Sequence, residues 1–501
     1  MIYTSTRDSS ICISAQQAIN LGISEDNGLF VPAKIPELDF RDLLVKIKAE
    51  LPRSDRYCIC ASSIIPLFLD GFTTEYIEKS TEKAYTAPFS YEPAHITRID
   101  DRLWALELTK GPTLAFKDIA LQLMPYFFIQ SKNMLGDTSH SLILVATSGD
   151  TGKAALEGYM DKENIDILVF YPRDGVSSMQ QLQMCTQEGK NVYVVGVNGN
   201  FDDTQRAVKK LMTDRDLISL LAQKNIKFSS ANSINIGRLI PQIVYYYSSY
   251  LELILNGSID AGDEVNFAVP SGNFGNILAG YYAKKMGLPI KKLICASNSN
   301  DVLTEFIREG TYNAKREFFV TMSPSMDILV SSNVERLVWN VTGNNSNRTK
   351  EIYETFLEEG RFTLSQSELK ELHEAFTSYS CSEAETIKSI KDIYNTYRYL
   401  LDPHTAVAFN VYGKYIEDTN DKTMTVVIST ASPFKFASSV ISAIEGEGSN
   451  EDSLRRLSEV TNTEIPKVLV GLEDKQVRFT ENIDIGQEKQ FLMNYLEKMK
   501  V

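Results

Sequence analysis

SLILVATSGDTGKAA, residues 141–155, carries the reading of the fold. Leu142 to Ala146 run without a polar break into a glycine turn, and small residues suited to a helix start follow. An unbroken apolar strand is what a parallel sheet covered by helices on both faces requires. The unit recurs: DILVFYP precedes MQQLQMCTQE, NVYVVGV precedes FDDTQRAVKKLMTD, and VNFAVPSGNFGN precedes ILAGYYAKKMG. Alternating strands and helices over such a length predict an α/β protein with open, doubly wound sheets. The stretch TMTVVISTASPFKF (423–436) returns to this texture after a more polar, mostly helical pattern over 310–395.

At 501 residues the chain exceeds what one simple core organises. The expected order is an N-terminal segment over 1–95, then an α/β core over 96–309 and 396–445. That core includes a smaller subdomain at about 130–215. A mostly helical insertion over 310–395 and a helical tail over 446–501 complete it.

Composition narrows the function classes. A net charge of -14 argues against nucleic-acid partners, whose phosphates call for positive charge. No apolar run approaches the ~20 residues that span a bilayer, so no membrane association is expected. MIYTSTRDSS lacks the basic-then-apolar order of a secretory signal, which makes the cytoplasm the expected compartment. The six cysteines are scattered, unlike a disulfide framework, and the four histidines never pair at H-x-x-x-H spacing. No metal site is expected.

The glycine loops are where chemistry is sought. TSGDTGK is not a P-loop, because Gly149 and Gly152 are two residues apart rather than four and Ala154 replaces the Mg²⁺-binding hydroxyl. It remains either a plain strand-to-helix turn or part of a site. In PSGNFGN (270–276) a strand ends and a helix opens without a lysine or arginine. Such a loop suits a monophosphate held by backbone N–H groups and the helix dipole. In GPTLAFKD (111–118), Lys117 is either a surface residue of an amphipathic helix or a lysine in an apolar pocket. In the second case it sheds its charge readily and forms an imine with an aldehyde cofactor. An aldehyde carrying a phosphate monoester is pyridoxal 5'-phosphate, which would join Lys117 to the 271–276 loop.

Taken together, these stretches resemble threonine synthase, a family of pyridoxal-phosphate enzymes with the tryptophan-synthase-β, or fold-type II, architecture. The resemblance rests on six stretches in order: YTSTRD with GISEDNGLFVP, GPTLAFKD, ATSGDTGKAA, SSANSINIGRLIPQ, PSGNFGN and STASPFKF. It implies that the cofactor lies in the cleft between two α/β sheets. Lys117 would hold it covalently, and Gly272, Asn273, Phe274, Gly275 and Asn276 would cradle its phosphate. Thr430 would meet the pyridine nitrogen, and Asp150 the phenolic oxygen, either protonated or turned away. Thr147, Ser148, Gly149 and Thr151 would grip the amino-acid end of the substrate. Asn232, Ser233 and Arg238 would bind the substrate phosphate, with Asn235 supporting their turn. The implied reaction turns O-phospho-L-homoserine and water into L-threonine and phosphate. A phospho-lyase that makes no threonine and a non-catalytic paralogue are the alternatives. Ser432 and Phe434 depart from the familiar T-A-H-P-A-K-F, whereas Thr430 and Lys435 keep to it.

Overall fold

The computed structural model describes residues 1–446 and 452–498. The expected start of the C-terminal tail and its last residues fall partly on 447–451 and 499–501, outside the described residues. The apolar runs form the central strands of two sheets. In the smaller sheet, His140–Ala146 and Ile165–Pro172 lie in the middle, flanked by Ile226–Ser230, Val192–Asn198 and Asn482–Asp484. All of its pairings are parallel. In the larger sheet the order is Phe376–Ser380, Ile290–Ser297, Val265–Pro270, Met424–Ser429, Leu103–Glu107 and His95–Arg98. Only the edge strand His95–Arg98 runs antiparallel.

Each central strand is buried on both faces, which explains why its sequence does not alternate. Helix Ile236–Leu255 is buried over most of its length and packs beside Gly275–Met286. Pro241 sits buried inside that helix.

Three features depart from the sequence expectation. Strand Ile226–Ser230 lies beyond the expected end of the smaller subdomain yet pairs with His140–Ala146. The tail supplies a strand, Asn482–Asp484, on the opposite edge of that sheet. The 310–395 region, expected to be mostly helical, adds Phe376–Ser380 to the edge of the larger sheet. An edge strand pairs on one side only, so FTSYS needs no continuous apolar run and carries a weak signal. No helix among the described residues is long and apolar enough to cross a membrane.

The N-terminal segment forms a small antiparallel sheet from Ile2–Ser5, Ile13–Ser14 and Phe30–Pro32. Arg7 of STRD makes a two-pronged ion pair with Glu335 at 2.9 and 2.7 Å, which fastens this segment to helix Val334–Val341. What positions the site is the orientation of the two large sheets. The residues that follow Ala146, Ser230, Pro270 and Ser429, all at carboxyl ends of strands, line one cavity. In open α/β sheets these ends are where ligands bind.

Candidate active site

Lys117 reaches this cavity from a turn built to hold it. Asp118 accepts from the backbone N–H and the hydroxyl of Thr113 at 2.9 and 2.7 Å, closing the GPT turn. Gly111 allows that closure, since a Cβ there would stand 2.4 Å from Asp118 Oδ2. Leu114 adopts the left-handed backbone region (φ 59°), a conformation an L side chain accepts only where surrounding contacts impose it. Those contacts come from STASPFKF. Phe116 N–H donates to the Thr430 carbonyl at 2.8 Å, and Ser432 N–H donates to the Leu114 carbonyl at 2.9 Å. The Lys117 side chain is buried, and burial pushes its ammonium down to about 8. Asp150 opposes that shift, while the charges of Arg238 and Lys435 reinforce it.

The loop at 271–276 opens helix Gly275–Met286 with Phe274 in the left-handed region and no side-chain cap. Its first N–H groups therefore lack intrahelical partners, and residues 271–276 line the cavity. Gly272 is obligatory, because a Cβ would meet the Ser325 carbonyl oxygen at 2.7 Å. Asn276 Nδ2 is buried and unpartnered, whereas its Oδ1 accepts from Tyr245 and Tyr246 at 2.6 and 2.8 Å. An uncapped helix start with no cation in its loop fits a phosphate monoester.

TSGDTG stands opposite. Gly149 has φ 115° and lies against Gln180, at 2.5 Å from where a Cβ would be. It shapes the turn and does not line the cavity, unlike Ser148, Asp150 and Thr151. Thr147 lines the cavity too, but its hydroxyl oxygen accepts from Gly149 and Gly152 N–H at 2.9 and 2.7 Å, capping helix Asp150–Tyr159. Asp150 lines the cavity with its carboxylate set between two lysines. Burial would raise its pKa, but Lys435 at 2.7 Å and Lys117 at 3.6 Å hold its carboxyl well below the usual range.

Asn232, Ser233 and Arg238 meet on the far side of the cavity. Asn235 caps helix Ile236–Leu255 and donates to the Ile19 and Ser230 carbonyls, which fixes their turn. Arg238 is 3% exposed, and its Nη1 donates to the Ala231 carbonyl at 3.1 Å. Its Nε and the Oδ1 of Asn232 are buried without partners. Burial brings the guanidinium down to about 10.

Among the wall residues that sequence reasoning missed are His404 and Ser325. His404 stands in the first turn of helix Pro403–Thr419, its Nδ1 2.7 Å from Asp402 Oδ1. Its Nε2 accepts from Ser325 N–H at 3.2 Å. The helix-start signal D-P-H in 402–404 was available, with Asp as cap and Pro at the first position. Ser325 comes from a single 3-10 turn, Pro324–Met326, in the 310–395 region, with its Oγ 3.4 Å from Lys117 Nζ and 3.5 Å from Asp150 Oδ2. No periodicity marks such a residue.

A buried lysine of lowered proton affinity, facing an uncapped helix start across a cleft between two doubly wound sheets, defines a fold-type II site for a phosphorylated aldehyde cofactor. Comparison with known proteins agrees. Residues 88–430 match the family described as pyridoxal-phosphate dependent enzyme, 2–85 match threonine synthase N terminus, and 405–491 match threonine synthase, C-terminal. Threonine synthase of Saccharomyces cerevisiae is 35% identical, over 100% of this chain and 99% of that protein. Human threonine synthase-like 1 is 38% identical over 88% of this chain, and the match spans 59% of that longer protein. The crystal structure of PLP-bound threonine synthase from Brucella melitensis superposes with a TM-score of 0.85 at 32% identity. It covers 99% of this chain and 98% of that one. The chain belongs to the threonine synthase family of pyridoxal-phosphate dependent enzymes.

Proposed function

We propose that this protein converts O-phospho-L-homoserine and water into L-threonine and inorganic phosphate. The observation that carries the reading is Arg238, a buried guanidinium with one carbonyl partner among the described residues and an unpartnered Nε. A buried cation left so poorly paired is costly, and an anion arriving with the substrate would relieve it. The 271–276 loop holds a different phosphate, so the cavity serves two: one that stays with the cofactor and one that leaves.

When bound, pyridoxal phosphate supplies an electron sink for negative charge developing on the amino acid. Ser148, Thr151 and the N-terminus of helix Asp150–Tyr159 orient the substrate carboxylate. Lys117 would hold the cofactor, and its amine, once free, would take the Cα proton. With an affinity for protons already close to neutral, it is suited to this role and to the following transfer at Cβ. Arg238, Asn232 and Ser233 bind the phosphate as it departs from Cγ. Cγ then takes a proton to become the methyl group, water adds its hydroxyl at Cβ, and Lys117 returns the proton at Cα. Thr430, which lines the cavity, would offer the cofactor ring a neutral hydroxyl rather than a charged acid, a setting for a milder electron sink.

The test is to incubate the purified protein with pyridoxal phosphate and O-phospho-L-homoserine, then measure threonine and phosphate together. Equal amounts are expected. Phosphate with 2-oxobutyrate and no threonine defeats the synthase reading and leaves a phospho-lyase. We also place the protein in the cytoplasm, a proposal supported by six free cysteines and testable by cell fractionation.

A further inference from the structure

Lys435 lies in the STASPFKF stretch, yet the reaction above gives it no task. Its side chain is fully buried. Its Nζ is held at two points, the Thr113 carbonyl at 2.8 Å and Asp150 Oδ1 at 2.7 Å. Thr113 belongs to the turn that carries Lys117, and Asp150 opens a helix of the smaller sheet. Lys435 thus bridges both walls of the cleft immediately behind Lys117. Asp150 uses Oδ1 on Lys435 and on Gln180 Nε2 at 2.8 Å. Its Oδ2 faces Lys117 Nζ at 3.6 Å, longer than the roughly 2.7–2.9 Å of a charge-assisted hydrogen bond. Two ammonium groups compete for one carboxylate, and Lys435 holds the closer position.

We propose that Lys435 is a positioning residue that takes up the charge of Asp150, leaving the Lys117 amine free to bond the cofactor aldehyde. The inference rests on Lys117 being the cofactor lysine. Bond formation needs the amine's lone pair, which attacks the aldehyde carbon as water leaves; an ammonium has no lone pair to give. A buried carboxylate deprived of its partner pairs with the nearest remaining cation. Among the described residues, Lys117 and Lys435 are the two cations within 4.0 Å of Asp150. Removing Lys435 therefore leaves Asp150 with Lys117 alone, and Lys117 keeps its proton. The other charged or titratable groups near the cluster are Arg238, His404 and Asp118. None of these lies within ion-pair distance of Asp150 among the described residues.

The readout is labelling of Lys117 in the cofactor-free protein with acetic anhydride across pH, followed by mass spectrometry of its peptide. The unaltered protein should show a midpoint near 8. In Lys435→Met the midpoint should rise by at least about one unit, so labelling at neutral pH slows roughly tenfold. Lys435→Arg should stay near the original value. Asp150→Asn/Lys435→Met, which removes both charges, should return to the original midpoint or fall below it. Uptake of pyridoxal phosphate, followed by the visible absorbance of the lysine-bound cofactor, should slow in the same order. An unchanged midpoint in Lys435→Met overturns the inference, as does a double variant displaced as far as the single one. Should Lys435→Met not fold, Lys435→Gln takes its place under the same criterion: an unchanged midpoint overturns the inference. If the unaltered protein takes up no cofactor on Lys117, the underlying reading fails instead, whatever the labelling shows.

Discussion

Lys117 and Arg238 are two buried cations that the fold treats differently. Lys117 keeps its proton less tightly in the folded chain, about 8, than its ordinary 10.5. The folded cofactor-free protein therefore binds fewer protons than the unfolded chain between those values. Its stability rises with pH across that window, and below pH 8 the full cost of burying the ammonium applies. Urea unfolding of the cofactor-free protein at pH 7.5 and 9.5 should show this gain, and Lys117→Met should lack it. The same variant should stay colourless with pyridoxal phosphate and make no threonine. A yellow, borohydride-sensitive Lys117→Met protein would assign the cofactor to another lysine. Arg238 serves the substrate phosphate in our reading. Arg238→Gln should lose a charged hydrogen bond worth about 1.5–3 kcal/mol, lowering kcat/KM for O-phospho-L-homoserine roughly 10–100-fold. Cofactor absorbance should be unaffected, because in our reading the cofactor phosphate is held by the separate 271–276 loop.

Two strand-to-helix turns do most of the positioning at the scale of elements. Each depends on a glycine for a different reason. Gly149 is needed for its backbone, at φ 115°, and for the Gln180 side chain packed against it. Gly272 is needed for space, because the Ser325 carbonyl backbone stands where its Cβ would be. Gly272→Ala should displace the turn that carries Ser325 and weaken pyridoxal-phosphate binding, read as a loss of the cofactor-dependent rise in Tm. Gly149→Ala should instead lower the Tm of the cofactor-free protein, since strain in this turn is present before any ligand arrives. These turns were legible in the sequence as apolar run, glycine loop and helix. Ser325 was not, because it sits in a three-residue 3-10 turn, too short to show a period. His404 was half legible: D-P-H marks a helix start, but nothing in the spacing aims the imidazole at a cavity.

On the scale of the whole molecule, the chain closes on itself at three places. Arg7 holds Glu335 across the sequence, STASPFKF zips onto the Lys117 turn, and the tail returns to the smaller sheet. In the tail, Arg478 donates to the carbonyls of Gln187 and Gly189, and Asn198 donates to Asp484 at 2.7 Å. Removing residues 475–501 would bare the edge of strand Val192–Asn198, a template for pairing with other chains. The truncated protein should aggregate, measured by light scattering, and its Val192–Asn198 amides should exchange faster.

The sequence by itself determined the strand–loop–helix units and the three glycine loops, because apolar period and glycine spacing are local properties of the chain. It also marked Lys117, Arg238 and Thr430 for a site, through motifs that need only neighbouring residues to be read. Only the tertiary structure decided that Lys435 stands against Asp150, that Ser325 and His404 join the wall, and that Gly149 is turned away from it. It also decided that strands from 226–230 and 482–484 complete the smaller sheet. These are contacts between segments up to several hundred residues apart. Their energies depend on burial and on a few ångströms of distance between charges, which no local pattern encodes.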